Sequence, residues 1–476
     1  MKIAFPDDFS DRISPMLVKE LRQGLRTKAF IGIFLTLQIV LGIILLAAST
    51  TSSSDQAGGI ISNIIFIFFA VAVIGIQPMR GMGALSSEIK GNTIDMMVLT
   101  RLSAWRIVTG KWSAIVSQSA LILITIIPYL ILRYFFGGMN LVGEIVLFFL
   151  IFVTSATLTA ITVGLSASTS VILRSVLPMV GIPIGAYAIL VLLLFSGMGG
   201  GGGGSMVDFC SLETTESRIT IALYITACLY YSFFLLSIGT SLIAPYAENY
   251  STLRRIIAFI VTIAAAIIGI IYVDEIVTMI AVYLLIFTPI FTISLTEFGV
   301  LVPPVVSKFN RYGIIGKFLG IFLLPTWATG VFFCYLITFI AFVSMFFIHD
   351  TYIDKEPVCV AMGSISTMIL PAILINILKM HGPARVSNYI LISAASGIIS
   401  LTLAGVAESL SSDGFLWLFV WIPTVAMFMV QSSRINNDDV VILATGFFNI
   451  LYFVIFVCMA IRHYSRSIRE LNHSGS

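Results

Sequence analysis

Long apolar runs alternate with short polar breaks along almost the whole chain. A run of about 18 or more apolar residues is long enough to cross the hydrocarbon core of a bilayer as a helix. Candidate runs lie near residues 29–49, 60–79, 112–132, 140–167, 172–196, 219–244, 254–273, 276–297, 318–348, 358–378, 387–407, 413–430 and 440–461. The pattern predicts an all-α fold, a polytopic bundle of transmembrane helices.

The placement of Lys and Arg predicts which side of the membrane each polar break faces. Positive residues concentrate in alternate breaks, and such residues tend to stay in the cytoplasm, which places the N-terminus inside. If every run crossed, Arg462, Arg466 and Arg469 would lie outside, so one run is expected not to cross. The run at 413–430 is short and holds Pro423, so it is the candidate for a re-entrant or interfacial piece. We expect about 12 spans with both termini inside.

Composition agrees with a membrane protein and disfavours several other classes. Of 476 residues, 58% are hydrophobic and only 10% are charged, whereas soluble domains carry about 25% charged residues. The net charge of +3 gives no support to nucleic-acid binding. The five cysteines have neither disulfide nor zinc spacing, and the four histidines form no helical His/Glu pair, so no metal site is expected.

The stretch SPMLVKELRQGLRTK predicts an amphipathic helix ahead of the first span. Ser14 followed by Pro15 is typical of a helix start. The helix would have an apolar stripe and a basic face, formed respectively by Leu17, Val18, Leu21 and Leu25 and by Lys19, Arg22, Gln23 and Arg26. A basic amphipathic helix of this kind is expected to lie in the membrane interface.

The polar break at residues 80–111, between the second and third spans, has an unusually mixed composition. Gly91-Asn92 marks a turn, and TIDMMVL and SAWRIV predict two short amphipathic helices, the second with Ser103 as its N-cap. Such helices lie in the membrane interface or present a docking surface to a soluble partner. An ordinary interfacial loop is the remaining interpretation.

An interfacial helix, a span, an external loop, a second span and a polar cytoplasmic segment together resemble the permeases of type-2 ABC exporters. In that family the segment typically runs Glu-x-Glu-x-Gly-Thr, an apolar-acidic helix, a Pro-Leu-Ser turn, and Gly-Lys before the third span. The matching positions here are Glu88, Thr93, Asp95, Leu102-Ser103 and Gly110-Lys111. The departures are Lys90, Asn92 and Arg101, which stand where Glu, Gly and Pro are usual.

Two further stretches, GLSASTSVILRSVLP and PYAENYSTLRR, resemble other segments of these permeases, so the resemblance covers about residues 12–255. It implies an exporter-like membrane domain over residues 1–255, with elbow helix, six spans and a coupling segment at 80–111. Residues 256–476 would be additional helices of unclear role. There, SKFNRYGIIGKFLGIFLLP suggests a second elbow, and hence a decayed duplicate of the first half.

The resemblance implies a coupling helix within residues 88–106 and roles for two sets of residues. The ATPase-coupling set is Glu88, Thr93, Asp95, Trp105, Arg106 and Lys111, and the elbow set is Lys19, Glu20, Arg22 and Arg26. Neither Gly-Lys pair has the glycine that opens a phosphate-binding loop, because Trp105 and Arg311 occupy that position. The chain is therefore expected to be no enzyme and to hold no cofactor of its own.

A separate nucleotide-binding subunit would then bind ATP and Mg. The chain would also contact the lipid bilayer. The family architecture implies a homodimer or a heterodimer with a sibling permease, unless twelve spans in one chain already supply both halves. The expected location is the bacterial cytoplasmic membrane, with a cytoplasmic N-terminus. The expected activity is export of a hydrophobic or amphipathic substrate, although no residue selects among lipids, drugs and hydrophobic peptides.

Two other classes of function stay open, namely an ion-gradient-driven carrier or channel and a structural or sensory protein without transport. An ionisable group in hydrocarbon costs at least ~2.5 kcal/mol and usually marks an ion pathway. Glu144, Arg174 and Glu297 lie near span ends and are expected to be interfacial. The absence of acidic and basic pairs in the middle of the spans disfavours a proton-coupled carrier.

Overall fold

The computed structural model describes most of the chain and is helical throughout the described part. The described residues are 15–50, 64–91, 102–134, 140–185, 206–245, 248–273, 275–299, 301–348, 355–380, 382, 384–410, 414–431 and 438–474. Eleven helices within these ranges are long and apolar enough to cross a membrane, and none of the ranges contains a strand. This confirms the predicted all-α polytopic bundle.

The chain divides into two compact units, Met1–Ala244 and Pro245–Ser476. The sequence places the boundary between its two regions after residue 255. The structure divides earlier because the helix that begins at Ser251 packs against later helices of the second unit.

The first unit contains one short N-terminal helix followed by longer apolar helices. They are α1 (Pro15–Leu25), α2 (Lys28–Thr50), α3 (Ile64–Lys90), α4 (Ala104–Tyr134), α5 (Leu141–Leu165), α6 (Ile172–Gly185) and α7 (Thr215–Ile243). Helices α2 to α5 and α7 correspond to predicted spans. Helix α6 covers the first part of the predicted span at 172–196, whose remainder lies outside the described residues.

Helix α1 confirms the predicted amphipathic helix, and it packs along α4. Its apolar side turns inward, with Met16 buried in a cluster that includes Ile107 and Val108 of α4. Gly110 permits this contact, since a Cβ atom there would lie 3.0 Å from the Met16 Cγ. The proposed capping residue Ser14 lies outside the described residues.

Helix α3 is longer than predicted, because it continues past residue 79 to Lys90. Pro78 does not end it. A π-helical turn precedes the proline, so the Gln77 N–H bonds to the Ala72 carbonyl and leaves the Val73 carbonyl without its usual donor. The Ser155 hydroxyl of α5 donates to that carbonyl at 2.6 Å. A neighbouring helix thus satisfies the backbone that the irregularity exposes.

Helix α4 corrects the prediction of a separate short helix at SAWRIV. Residues Ala104–Tyr134 form one continuous helix, with Ser103 immediately before it in the predicted cap position. Lys111 does not interrupt the helix because its charge is paired within the unit. The other predicted short helix, TIDMMVL, lies outside the described residues.

Helices α5 and α7 cross at two glycines. A Cβ atom at Gly164 would lie 2.2 Å from the Leu235 carbonyl oxygen, and one at Gly239 would lie 3.0 Å from the Gly164 Cα. Small residues let transmembrane helices approach this closely, which gains dispersion contacts along the crossing.

Gly164→Ala is expected to lower the free energy of unfolding by about 1–3 kcal/mol, because the added methyl group overlaps a backbone carbonyl. The measurement is the thermal unfolding midpoint of the purified protein in detergent. Gly42→Ala on α2 is the matched control, since its Cβ atom would meet nothing within 4 Å. Equal midpoints for the two variants would contradict this account of the crossing.

The first unit also has a short helix at Met206–Phe209, and the second unit holds a further set of helices, several of which are short. They are α8 (Ser251–Tyr272), α9 (Ile276–Thr296), α10 (Pro303–Asn310), α11 (Gly313–Leu323), α12 (Trp327–Ile348), α13 (Lys355–Ile377), α14 (Ala384–Leu410), α15 (Pro423–Gln431) and α16 (Asp438–Ser474). The predicted span at 318–348 begins too early. Trp327–Phe347 is long and apolar enough to cross a membrane, but the chain breaks between α11 and α12, around Pro325.

The run at 413–430 forms two short pieces, a 3₁₀ turn at Gly414–Phe419 and α15. At 1.5 Å per residue neither piece reaches across about 30 Å of hydrocarbon. This agrees with the prediction that the run does not cross as a single helix. Helix α16, in contrast, continues well past the predicted end at residue 461.

Candidate functional site

A polar pocket of about 300 Å³ lies in the first unit, between α1, α3 and α4. Its lining includes the charged residues Glu20, Arg80, Glu88 and Lys111. The pocket therefore joins the N-terminal helix to the end of α3 and the beginning of α4, the two helices that flank the predicted coupling segment.

One ammonium group holds the three helices together. Lys111 Nζ of α4 donates to Glu20 Oε1 of α1 at 3.0 Å and to Glu88 Oε1 of α3 at 3.1 Å. The Lys111 side chain is 7% exposed and each glutamate is 18% exposed. We call Glu20, Glu88 and Lys111 the Lys111 joint. Because the ammonium is nearly buried, its two ion pairs are screened much less than pairs on an open surface.

Arg80 makes a second link between the same helices. Its Nη1 donates to Gln77 Oε1 at 3.1 Å and to Gln118 Oε1 of α4. Its Nη2 donates to the Gly24 carbonyl at 3.3 Å and to Thr27 Oγ1 at 3.0 Å, at the C-terminal end of α1. Arg80 with these four partners forms the Arg80 clamp. A guanidinium at this end of α1 also complements the partial negative charge of the helix terminus.

Gly24 is required by this arrangement. A Cβ atom at residue 24 would lie 2.1 Å from the Gln118 Nε2, so a larger residue would displace the glutamine from the clamp. Gln118 is almost fully buried, and its carbonyl oxygen accepts from Arg80. The glycine at position 24 of α1 thus leaves room for Gln118 of α4, a residue distant along the chain.

The structure brings together only some of the residues that the resemblance implies. Glu20, Glu88 and Lys111 meet in the joint. Trp105 is half-buried, with its ring centroid 5.5 Å from that of Phe233 on α7, so the indole supports helix packing. The remaining described members are exposed, and they are Lys19, Arg22, Arg26 and Arg106. Thr93 and Asp95 lie outside the described residues.

The Arg80 clamp is a feature that the sequence reasoning missed. Arg80 belongs to the polar break at 80–111, whose positive charge predicts the cytoplasmic side, and nothing local to Gln77 or Gln118 predicts a contact with it. A signal was present, because both glutamines are uncharged polar residues inside apolar runs. Such residues usually face a polar partner within the bundle.

A second buried ionic cluster lies in the second unit. Arg255 of α8 is fully buried, and its Nη2 donates to Glu297 Oε2 at the end of α9. Arg254 Nη2 approaches Glu297 Oε1 at 3.6 Å. Glu297 follows the last residue of α9, near the span end as predicted, and its carboxylate is buried in the protein between two guanidinium groups. We call Arg254, Arg255 and Glu297 the Arg255 cluster.

Arg255 also holds the break between α11 and α12. Its guanidinium donates to three backbone carbonyls, at 2.6 Å to Phe322, 2.9 Å to Leu324 and 3.1 Å to Thr326. Nη1 further donates to Thr329 Oγ1 at 3.0 Å. The end of one helix and the start of the next thus depend on a side chain from α8.

The charged groups of both clusters form ion pairs and hydrogen bonds between helices. Within the described ranges, no group of three or more His, Cys, Asp or Glu residues is placed to hold a metal ion. Cys210 lies before α7, and burial raises the pKa of its thiol, which keeps it neutral and unreactive. The joint and the clamp instead fix three helix ends relative to one another, an arrangement suited to transmitting movement.

Comparisons with known protein families, with characterised proteins and with solved structures find no match for this chain. The sequence and the fold together support a multi-pass membrane protein with many membrane-spanning helices.

Proposed function

We propose that this chain is the membrane-spanning permease subunit of an ATP-binding-cassette exporter, powered by ATP that a separate subunit hydrolyses. The observation that carries the proposal is the Lys111 joint. It ties the N-terminal helix and both helices flanking the coupling segment to a single ammonium group, at the place where the resemblance puts the contact with the ATPase.

The joint would make the three helix ends move as one body. Separating Lys111 from either glutamate removes one of the two ion pairs of a nearly buried ammonium, which is costly in a membrane protein. The Arg80 clamp adds a second set of bonds between the same helices. A push on the end of α3 or the start of α4 would therefore reach α1 and the transmembrane parts of both helices.

A surface for such a push lies beside the joint. Ile89 and Lys90 at the end of α3 are exposed, and so is Arg106 in the first turns of α4. One apolar and two cationic side chains would suit a groove with an apolar floor and an acidic rim on a soluble partner. In the proposed complex this partner carries ATP and Mg, and closure of its nucleotide sites moves the joint.

The rest of the proposed assembly follows the same architecture. The N-terminus faces the cytoplasm of a bacterium, and the exposed basic residues Lys19, Arg22 and Arg26 of α1 rest against anionic headgroups of the cytoplasmic membrane. A second permease, either another copy or a sibling, completes the pathway unless the second unit does so. The substrate is hydrophobic or amphipathic, in keeping with the apolar helices that surround it.

Affinity purification from membranes of the native host tests the proposal. The tagged protein is expected to recover a P-loop ATPase, identified by mass spectrometry. Arg106→Ala is expected to reduce that recovery roughly five-fold, because it removes an exposed cation from the docking surface while leaving the fold intact. Lys308→Ala, an exposed cation of α10 in the second unit, is the matched control and should change nothing.

Two results would contradict the proposal. One is that the wild-type protein recovers no P-loop ATPase under conditions that preserve membrane complexes. The other is substrate flux in nucleotide-free vesicles that depends on an ion gradient, which would favour the carrier class instead.

A further inference from the structure

An apolar cavity of about 690 Å³ lies within the second unit, between α11, α12, α13 and α16. Its lining is mainly Ile, Phe, Leu, Met and Val, and none of the described residues that line it is charged. Its volume is within the range of pockets that hold small organic molecules. Phe339, Ile450 and Phe453 belong to the lining and are themselves exposed, so the cavity opens through an apolar surface of the helices.

Three polar atoms on the cavity-lining residues have no hydrogen-bond partner within the part of the chain that the structure describes. They are the Tyr335 hydroxyl, Thr338 Oγ1 and Asn449 Nδ2. The Thr338 and Asn449 side chains are each only 8% exposed. In an apolar environment an atom of this kind that stays unsatisfied is destabilising.

Two other buried hydroxyls of these helices donate hydrogen bonds to backbone carbonyls of their own helix. Ser364 Oγ of α13 donates to the Val360 carbonyl at 2.7 Å, and Thr445 Oγ1 of α16 donates to the Val441 carbonyl at 2.8 Å. Thr338 makes no bond of this kind to its own helix. Other unsatisfied buried atoms of the described residues, such as Ser294 Oγ and His463 Nδ1, lie elsewhere in the unit, but these three line one cavity, where a single bound molecule could supply their bonds.

The chemistry of the three groups defines the molecule. Asn449 Nδ2 can only donate, so it requires an acceptor oxygen, whereas the hydroxyls of Tyr335 and Thr338 can donate or accept. An uncharged lining excludes an ionised headgroup, because no opposite charge would offset its desolvation. The occupant is thus largely hydrocarbon, neutral, and carries acceptor oxygens; a hydroxyl beside a carbonyl or ether oxygen would use both bonding modes of Tyr335 and Thr338.

We propose that this cavity binds a neutral amphipathic lipid of the acylglycerol type, whose hydrocarbon part fills the apolar volume and whose oxygen groups bond to Tyr335, Thr338 and Asn449. The lipid enters from the bilayer through the exposed apolar side chains at the opening. The inference concerns the second unit alone, so it does not depend on the proposed ATPase partner.

Photolabelling of the full chain in phosphatidylcholine nanodiscs tests the site. The probe is a monoacylglycerol with a diazirine in its acyl chain, and labelled peptides are mapped by mass spectrometry. We expect labelling on α12, α13 or α16 at residues that line the cavity. An alkane probe with the same diazirine and chain length lacks oxygen groups and is expected to label these residues at least five-fold less.

Thr338→Val combined with Asn449→Leu separates hydrogen bonding from simple filling of apolar space. These changes preserve size and remove two unsatisfied polar groups, so the thermal midpoint without added lipid should be unchanged or higher. Labelling by the monoacylglycerol should fall about five- to tenfold, whereas labelling by the alkane should persist. Thr445→Val, which removes a self-satisfied hydroxyl of α16, is the control and should leave the labelling unchanged.

Three results would overturn the inference. The first is the absence of label from the cavity residues, which would mean that water or nothing occupies the space. The second is equal labelling by the two probes, which would show an unselective apolar groove. The third is unchanged monoacylglycerol labelling in the double variant.

Discussion

Arg255→Met is expected to lower the free energy of unfolding by about 3–5 kcal/mol, the largest loss of stability that we predict for a single substitution in this chain. Methionine fills much of the same volume but donates no hydrogen bond. Three backbone carbonyls between α11 and α12 would lose the guanidinium donor, although those of Leu324 and Thr326 keep backbone N–H donors. Glu297 would lose the closer of its two cationic partners. Each buried acceptor that stays unpaired costs roughly 1–3 kcal/mol.

The measurement is equilibrium unfolding in mixed micelles, supported by the thermal midpoint. Arg255→Lys keeps the charge but cannot reproduce the forked geometry of a guanidinium, so an intermediate loss is expected. Arg311→Met, at an exposed position after α10, is the matched control and should change stability by less than about 0.5 kcal/mol. If Arg255→Met and Arg311→Met were equally stable, the buried cluster would not hold the break between the helices.

Lys111→Met is expected to release α1 from the first unit. The two glutamates would then face each other without the ammonium, and α1 would lose its ion pair to α4. Because the carboxylates are partly exposed, the cost is set at about 2 kcal/mol, below that of a fully buried pair. This corresponds to roughly a 30-fold rise in the population with α1 detached, measured as hydrogen exchange of residues 15–25.

The proposed function adds a second readout for Lys111→Met. If the joint transmits movement from the ATPase, ATP-driven export should fall at least tenfold while ATPase recovery in the pull-down is retained. Lys19→Met removes an exposed cation from the same helix and is the control for both measurements. Faster exchange with normal export would leave the joint as a structural feature and contradict its role in coupling.

A triple variant tests whether charge pairing is the cause. Lys111→Met combined with Glu20→Gln and Glu88→Gln removes all three charges while preserving side-chain size. Replacing every partner by a neutral group is much less costly than removing one, so exchange of residues 15–25 should return toward the wild-type rate. Exchange as fast as in the single variant would mean that α1 is held by something other than these ion pairs.

The long apolar runs predicted most of the transmembrane helices. A helix must be about 20 apolar residues long to cross the hydrocarbon layer, and helices of soluble domains rarely contain such a run. The helix ends were harder to predict. A charged residue such as Arg80 or Lys111 usually marks the end of a membrane span. Both nevertheless lie inside helices, because polar side chains on neighbouring helices accept their hydrogen bonds. The break within 318–348 depends on Arg255, a residue 67 positions before the Phe322 carbonyl that it contacts.

The candidate site was only partly predictable for the same reason. Glu88 and Lys111 were found through the order of residues around the coupling segment, and Glu20 through the amphipathic helix. Their meeting at one ammonium is a tertiary contact, with Glu20 lying 91 positions from Lys111. The Arg80 clamp depends on two glutamines, and a local pattern does not reveal which polar residues of an apolar run face each other.

Helix α16 is 37 residues long, so at 1.5 Å per residue it extends about 55 Å. Even tilted by about 40° it rises more than 40 Å along the membrane normal, well beyond a hydrocarbon layer of about 30 Å. Part of it therefore extends beyond the hydrocarbon layer as a rigid stalk, and its final turns carry Arg466 and Arg469. A fluorophore attached to the stalk would report the inclination of the last span instead of tumbling independently.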